Sequence, residues 1–347
     1  MDPTTRHSRL YRMRVRSSAK LLLVASAWLI ACCLPEQAGA EVLRLVVGGI
    51  DKQIYLPAVL AQRLGYFSEQ GLEVELQNDT SGVRAEDKLL AGAVQGVVGF
   101  YDHTIVLQAK GKFVRSVVQF SRAPGEALVS SSKLPPLGSP AALAGRTLGV
   151  AGLGSSTQLL TQYFGLINGV KISQMNFITF ESSSAFVEGM RHGRIDAGMT
   201  TEPAISSLVA AGQAHLMIDL RTPASSVAAI GGNYPGACLY LSALWIDTHR
   251  DQTQRLVNAF VKALRYIDAH SAEEIAALLP ASVVGADRKI YVSALAASKS
   301  MFISDGVMPP DGPPTVLKVL NVTSQSVRGK AVDLARTYTN DYVTGVR

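Results

Sequence analysis

Gly92 to Gly111 reads GAVQGVVGFYDHTIVLQAKG, and Gly193 to Gly212 reads GRIDAGMTTEPAISSLVAAG. Each stretch runs turn glycine, short apolar strand, polar loop, apolar helix and a second glycine nineteen positions after the first. A similar offset lays Leu45-Val46-Val47-Gly48-Gly49 over Leu148-Gly149-Val150-Ala151-Gly152, and Leu72-Glu73-Val74 over Met175-Asn176-Phe177. One pair of βα units shares glycines by chance, because helices beside any parallel sheet end on them. Equal spacing over several elements predicts instead a duplicated lobe, hence two α/β lobes whose polar loops face a shared cleft.

Outward from that core, Leu43 to Val47 predicts a strand, Leu56 to Phe67 a helix closed near Gly65 and Gly71, Leu72 to Leu76 a strand and Ala85 to Ala93 a helix. Strands are expected at Val114 to Phe120 and Leu128 to Ser131, before the proline-rich break Lys133 to Pro140. The second lobe repeats the order from Thr147 to Ala211. Gly231-Gly232-Asn233-Tyr234-Pro235-Gly236 reads as a return crossing to the first lobe. The helices after Asp251 are expected to pack on the first lobe or wrap around both, since they bring no sheet of their own. The expected division is 1–40 as an export signal, 41–130 with 240–347 as lobe one, and 131–239 as lobe two.

The signal is read from six basic residues between Arg6 and Lys20, an apolar run from Leu21 to Leu34, and the cleavage-like Ala38-Gly39-Ala40 after Pro35. Leu29-Ile30-Ala31-Cys32 offers a second exit, a lipobox that would leave a lipidated Cys32. This run of fourteen residues, apolar but for Ser26, falls short of the roughly twenty that span a bilayer. Removing residues 1–40 takes six Lys/Arg and two Asp/Glu from 33 and 27, leaving 27 against 25 and a net charge of +2. The basicity therefore belongs to the signal, and no basic stripe supports a nucleic-acid partner. Beyond the signal only Cys238 remains, which excludes an intrachain disulfide in the processed chain.

Candidate ligand residues lie where strands of both lobes end. Gly154, Ser155, Ser156 and Thr157 stand between a strand and a helix, where free amides and the helix dipole favour an anion or an acceptor; capping by the serines is compatible with that. Thr201 and Glu202 precede Pro203, which fits the first helical position. Tyr101, Asp102 and His103 hold the matching place in the other lobe, Gln53, Ile54 and Tyr55 the first strand-to-helix loop, and Thr80 and Ser81 the second. Asp102 is as suited to cap its helix as to touch a ligand. Thr157 and Met175 stand where a dinucleotide fingerprint wants glycine and an acid, so no such cofactor is expected. The six histidines are scattered without metal-site spacing. Ser130 and Lys133 form a formal S-x-x-K, but it runs into Pro135-Pro136 where that motif needs a helix, and no G-x-S-x-G is present. Neither metal nor cofactor is expected, and a binding protein is favoured over catalysis; the alternative is an exported enzyme using the same cleft, with Asp102-His103 or Glu202 as acid and base.

Several segments, in order, carry a resemblance: Tyr55-Leu56-Pro57, Ala61 through Gly65-Tyr66-Phe67, Gly71-Leu72-Glu73-Val74, Leu89-Leu90-Ala91-Gly92, Leu143-Ala144-Gly145-Arg146-Thr147-Leu148-Gly149-Val150, Gly154-Ser155-Ser156-Thr157, Gly193-Arg194-Ile195-Asp196-Ala197 and Glu202-Pro203-Ala204. The chain resembles substrate-binding proteins of ABC importers in the nitrate/sulfonate/taurine family. The resemblance implies a two-lobed periplasmic-binding-protein fold of type II, two crossing strands between the lobes, a monomer in the periplasm, and an ABC permease as partner. It also implies a small polar solute such as a sulfonate, taurine or a nitrate-like anion. A thiamine-pyrimidine-precursor branch belongs to the same superfamily, but the cysteine-rich segment of its synthesising enzymes is absent. Val94-Gln95-Gly96 replaces the acidic turn common in such proteins, and the solute stays open.

Overall fold

A computed structural model describes residues 42–346. The expected export signal and Cys32 lie outside them. Two five-stranded sheets carry the chain, ordered β2-β1-β3-β10-β4 and β7-β6-β8-β5-β9. In the first, β1 (Leu43–Val47), β2 (Val74–Asn78) and β3 (Gly96–Phe100) run parallel, while β10 (Ala237–Ser242) lies antiparallel between β3 and β4 (Val114–Gln119). In the second, β6 (Thr147–Val150), β7 (Asn176–Thr179) and β8 (Ala197–Thr201) are parallel, and β5 (Glu126–Ser131) lies antiparallel between β8 and β9 (Ala214–Leu220). The two orders superpose strand for strand, so the doubled sequence layout is a doubled lobe. Gly92 and Gly193, at φ 72° and 71°, close matching helices in the left-handed conformation that a side chain resists.

The expectation that Leu128–Ser131 belongs with the first lobe is corrected. All of β5 hydrogen-bonds into the second sheet, and the chain has already crossed by Gly125. The proline-rich break misled because it follows the crossing by one strand. After β9 and the helix Pro223–Ile230, Gly231–Gly236 leads back to β10, so each sheet receives one inner antiparallel strand next to its crossing segment. The expected single helix Leu56–Phe67 is two, Leu56–Arg63 and Tyr66–Glu69, parted at Gly65 with φ 72°.

β3 is apolar and buried at every position, as a parallel strand covered on both sides must be; Val46, Val97 and Leu148 are wholly buried. The C-terminal helices cover both lobes. Arg250–Ala269 packs on Leu56–Arg63, while Gly312–Thr323 packs on the second-lobe helix Ser156–Ile167 and Arg288–Ser298 on Ala204–Ala210. Val316, Val319 and Leu320 are driven into that second contact, joining one hydrophobic cluster with Leu160 and Phe164. Such burial stabilises by roughly 25 cal/mol per Å² of apolar surface, which ties the tail to both lobes.

Candidate functional site

The C-terminal ends of β1, β3, β6 and β8 meet between the lobes, and their following loops touch. Gln53 N donates to Glu202 O at 3.0 Å, and Ser183 N, at the start of the helix Ser183–Arg191, donates to Asp51 Oδ2 at 3.1 Å. A Cβ placed on Gly152 would stand 3.0 Å from Ser81 Oγ, so the two walls are in contact there. These cross-lobe contacts describe a closed cleft.

Within it lies a cavity of about 30 Å³. A water needs roughly 10–15 Å³ on this measure, so the space holds about two waters or one compact polar group. Lys52, Tyr55 and His103 line it from the first lobe, and Glu126, Ser156 and Thr201 from the second. Lys52 Nζ donates to Gly48 O at 2.6 Å and Thr80 O at 3.3 Å, which folds the side chain back over its own loop. Burial lowers its pKa, against the pull of Asp51 and Glu126.

Glu126 opens β5 directly after Gly125 and is fully buried. Its Oε1 accepts the Ser156 hydroxyl at 2.6 Å, and its Oε2 has no partner. Burial pushes this carboxyl up to about 8; the Ser156 hydroxyl works against that and Asp102 adds to it. Behind the first-lobe wall, His103 Nδ1 stands 2.8 Å from Glu86 Oε2 and Nε2 3.7 Å from Asp102 Oδ1. Burial alone would lower the imidazole, but Asp102 and Glu86 together raise it above its ordinary value. Asp102 is itself raised by its own burial.

The second-lobe wall is a helix start. Ser155 Oγ donates to Gly152 O at 2.6 Å and lies 2.7 Å from Thr157 Oγ1, which accepts Ala151 N at 3.0 Å. These bonds freeze the strand-to-helix turn, and the positive end of the helix Ser156–Ile167 is directed at the cleft.

Of the residues singled out by sequence, Ile54, Tyr55, His103, Ser155, Ser156, Thr157 and Thr201 line the cavity. Thr80 and Ser81 line a second, more open depression of about 180 Å³, next to Arg84 and Glu181. The others do not reach the space. Glu202 is corrected most plainly: its Oε1 accepts Arg221 Nη1 at 2.6 Å and Ser206 Oγ at 2.8 Å, and its Oε2 accepts Ser206 N at 2.9 Å. That carboxylate is committed inside the second lobe. Its neighbour Pro203 stands at the cap of Ala204–Ala210 and not in its first turn. Gln53 spends its side chain on Tyr291 O at 2.8 Å, Tyr101 bonds Thr337 through its hydroxyl, and Gly154 is exposed with its amide on Gln158. Asp102 neither caps its helix nor faces the cavity; it lies behind His103.

Sequence reasoning passed over Lys52, Glu126 and Glu86. Lys52 was legible, one position before a chosen loop. Nothing local marks Glu126, whose place depends on the pairing of β5 with β8.

A family model described as NMT1/THI5 like matches residues 54–274, well over half of the chain. The chain belongs to that family. A structure from Bordetella bronchiseptica RB50 shares 34% identity over 87% of this chain and 96% of its own, with a TM-score of 0.85. The periplasmic nitrate-binding protein NrtA from Synechocystis PCC 6803 matches at TM-score 0.69 and 12% identity, covering 88% of each chain. The alkanesulfonate-binding protein SsuA from Xanthomonas axonopodis pv. citri, bound to MOPS, matches at TM-score 0.67 and 18% identity over 87% of this chain and 99% of its own. Those two likenesses show that this NMT1/THI5-like chain has the periplasmic-binding-protein fold. No curated protein matches it significantly.

Proposed function

We propose that this NMT1/THI5-like protein is the exported solute-binding component of an ABC importer, acting as a monomer that captures a small polar anion between its lobes. The observation that carries the reading is the cavity itself: it is closed by both lobes, and the loops that seal it are bonded to each other across the cleft. A solute touching both walls stabilises the closed form over the open one by its differential contacts, and closure offers a permease a changed surface. The wall is furnished for a compact polar head, with the Lys52 ammonium on one side and the Ser156–Ile167 helix start on the other. Nitrate and the sulfonate head that taurine also carries fit that description, in keeping with the nitrate and alkanesulfonate that NrtA and SsuA are named for. Export to the periplasm rests on residues 1–40, read from sequence alone.

Thermal denaturation and calorimetry with nitrate, methanesulfonate, taurine and neutral heterocycles test the reading. A true ligand at a hundred times its dissociation constant adds about 2.7 kcal/mol. For a chain of this size that is a rise of about 5 °C in Tm. The solute should be recovered unaltered and bound one to one. Consumption of any solute, or no stabilisation by any member of the panel, overturns it.

A further inference from the structure

The cavity wall carries more buried polar atoms than it satisfies. Glu126 Oε2 and Thr201 Oγ1 are both buried and both without a hydrogen-bond partner. The two residues are directly opposed in the β5–β8 pair, so their side chains leave the sheet on one face, roughly 5 Å apart at Cβ. Buried polar groups in folded proteins find partners as a rule, and a pair of orphans lining one cavity points to atoms supplied from outside the chain.

The nature of those atoms follows from what else faces them. Lys52 spends two of its three N–H bonds on Gly48 O and Thr80 O, leaving the third. Thr201 offers a hydroxyl, and the Ser156–Ile167 helix offers its positive end. The wall is thus rich in donors; the Thr201 hydroxyl can donate or accept, and what Glu126 offers depends on its proton. Ionised, it repels an oxyanion. Neutral, its Oε1 remains the acceptor for Ser156 while the proton resides on Oε2, the atom without a partner.

We propose that Glu126 grips the ligand as a neutral carboxylic acid, donating from Oε2 beside the Thr201 hydroxyl to a small monovalent oxyanion. This rests on the solute-binding reading and narrows it to a proton-linked site. The charged and titratable groups around Glu126 agree with it. Lys52 faces it from the first-lobe loop, with Asp51 beyond; Tyr55 follows in the next turn; Asp102 and His103 face it from the helix Asp102–Ala109, with Glu86 behind; Tyr234 approaches from the return crossing. Lys52 and His103 work against the carboxyl's rise and Asp102 adds to it, so a neutral Glu126 spares an arriving anion one buried negative charge. The carboxyl's shift to about 8, caused by burial, places the neutral form in command at neutral pH.

The test measures the affinity of nitrate and methanesulfonate, which stay monoanions throughout, between about pH 6.5 and pH 9.5 for the wild type and Glu126→Gln. The wild type should bind at least one of them, with affinity falling about tenfold per pH unit above roughly pH 8. Glu126→Gln, which keeps a donor but no titrating proton, should bind that anion at an affinity independent of pH. If the variant keeps the wild-type slope, Lys52 carries it and the proposal falls. Infrared spectra of the ligand-free protein give a second readout: at about pH 6.5 the wild type should show a protonated-carboxyl band that Glu126→Gln lacks, and its absence overturns the proposal. Binding of methylammonium or a neutral heterocycle with no anion bound would overturn the proton-linked donor while leaving solute capture standing. Binding of nothing would remove both.

Discussion

Arg221→Ala tests whether Glu202 is a structural anchor of the second lobe. The Glu202 carboxylate is almost wholly buried, at 1% side-chain exposure, and Arg221 reaches it at 2.6 Å while also holding Asp219 through Nε at 2.9 Å and Nη2 at 2.7 Å. Removing one partner of a buried ion pair costs about 3–5 kcal/mol, because the charge left behind is unpaired. Two Ser206 donors remain, and Arg221 is 17% exposed, so water can reach the vacated volume. The loss should therefore sit at the bottom of that range, about 3 kcal/mol, or about 6 °C of Tm for a chain this long. Urea and thermal denaturation measure it. Glu202→Gln in the Arg221→Ala background removes the stranded charge, so the double variant should recover more than half of the loss, a coupling that a double-mutant cycle isolates. A single-variant loss under about 1 kcal/mol, or a double variant as unstable as the single, would refute the argument. Ligand affinity should be nearly unchanged in Glu202→Gln; a large drop would return Glu202 to the ligand wall.

Gly198→Ala should lose about 3 kcal/mol or more, since its Cβ would stand 2.5 Å from Gly149 O and force β6 and β8 apart; a Tm within a degree of the wild type counts against this. Glu126→Gln should gain stability over the wild type as pH rises. The folded carboxyl keeps its proton up to about 8 while the unfolded one releases it near 4.5, so the wild type's advantage from protonation is whole below 4.5 and gone above about 8. Denaturation at several pH values should show the difference opening across that window, and a constant difference would contradict it. Asp51→Ala removes the acceptor for Ser183 N. The ligand-free particle should scatter as a more open one and bind solute about fivefold more weakly, matching about 1 kcal/mol; an unchanged radius of gyration and affinity would discard the latch.

The fold was legible because its periodicity is local. Glycines at helix ends, apolar strands four or five residues long and a repeated offset are all read within one βα unit. The ownership of β5 was not, because its apolar centre Ala127–Val129 would suit either sheet and its partners β8 and β9 lie some seventy to ninety positions on. The same gap hid Glu126: a glutamate after Pro124-Gly125 reads as an exposed turn residue until the β5 register sets it opposite Thr201 and within reach of Ser156. Glu202 erred in the reverse direction. Its position at a strand end is right, but Arg221 arrives from beyond β9 and takes the carboxylate. Ser155–Thr157 and Tyr55 do line the cavity, and for the first three the sequence signal is local: a helix start declares its free amides and hydroxyls.

Glu126 occupies the first position after the outbound crossing, beside the pair of segments about which the lobes would swing. Bonded to Ser156 of its own lobe, its carboxyl would keep its place beside Thr157 in any such swing, while Lys52, carried on the other lobe, would change its distance from it. A solute held at this point would rest on the second lobe before the first lobe closes over it. Recognition at the pivot and enclosure at the jaws thereby become successive events, and a substitution at Glu126 should alter how fast a solute is caught, whereas one at Asp51 should alter how long it is kept.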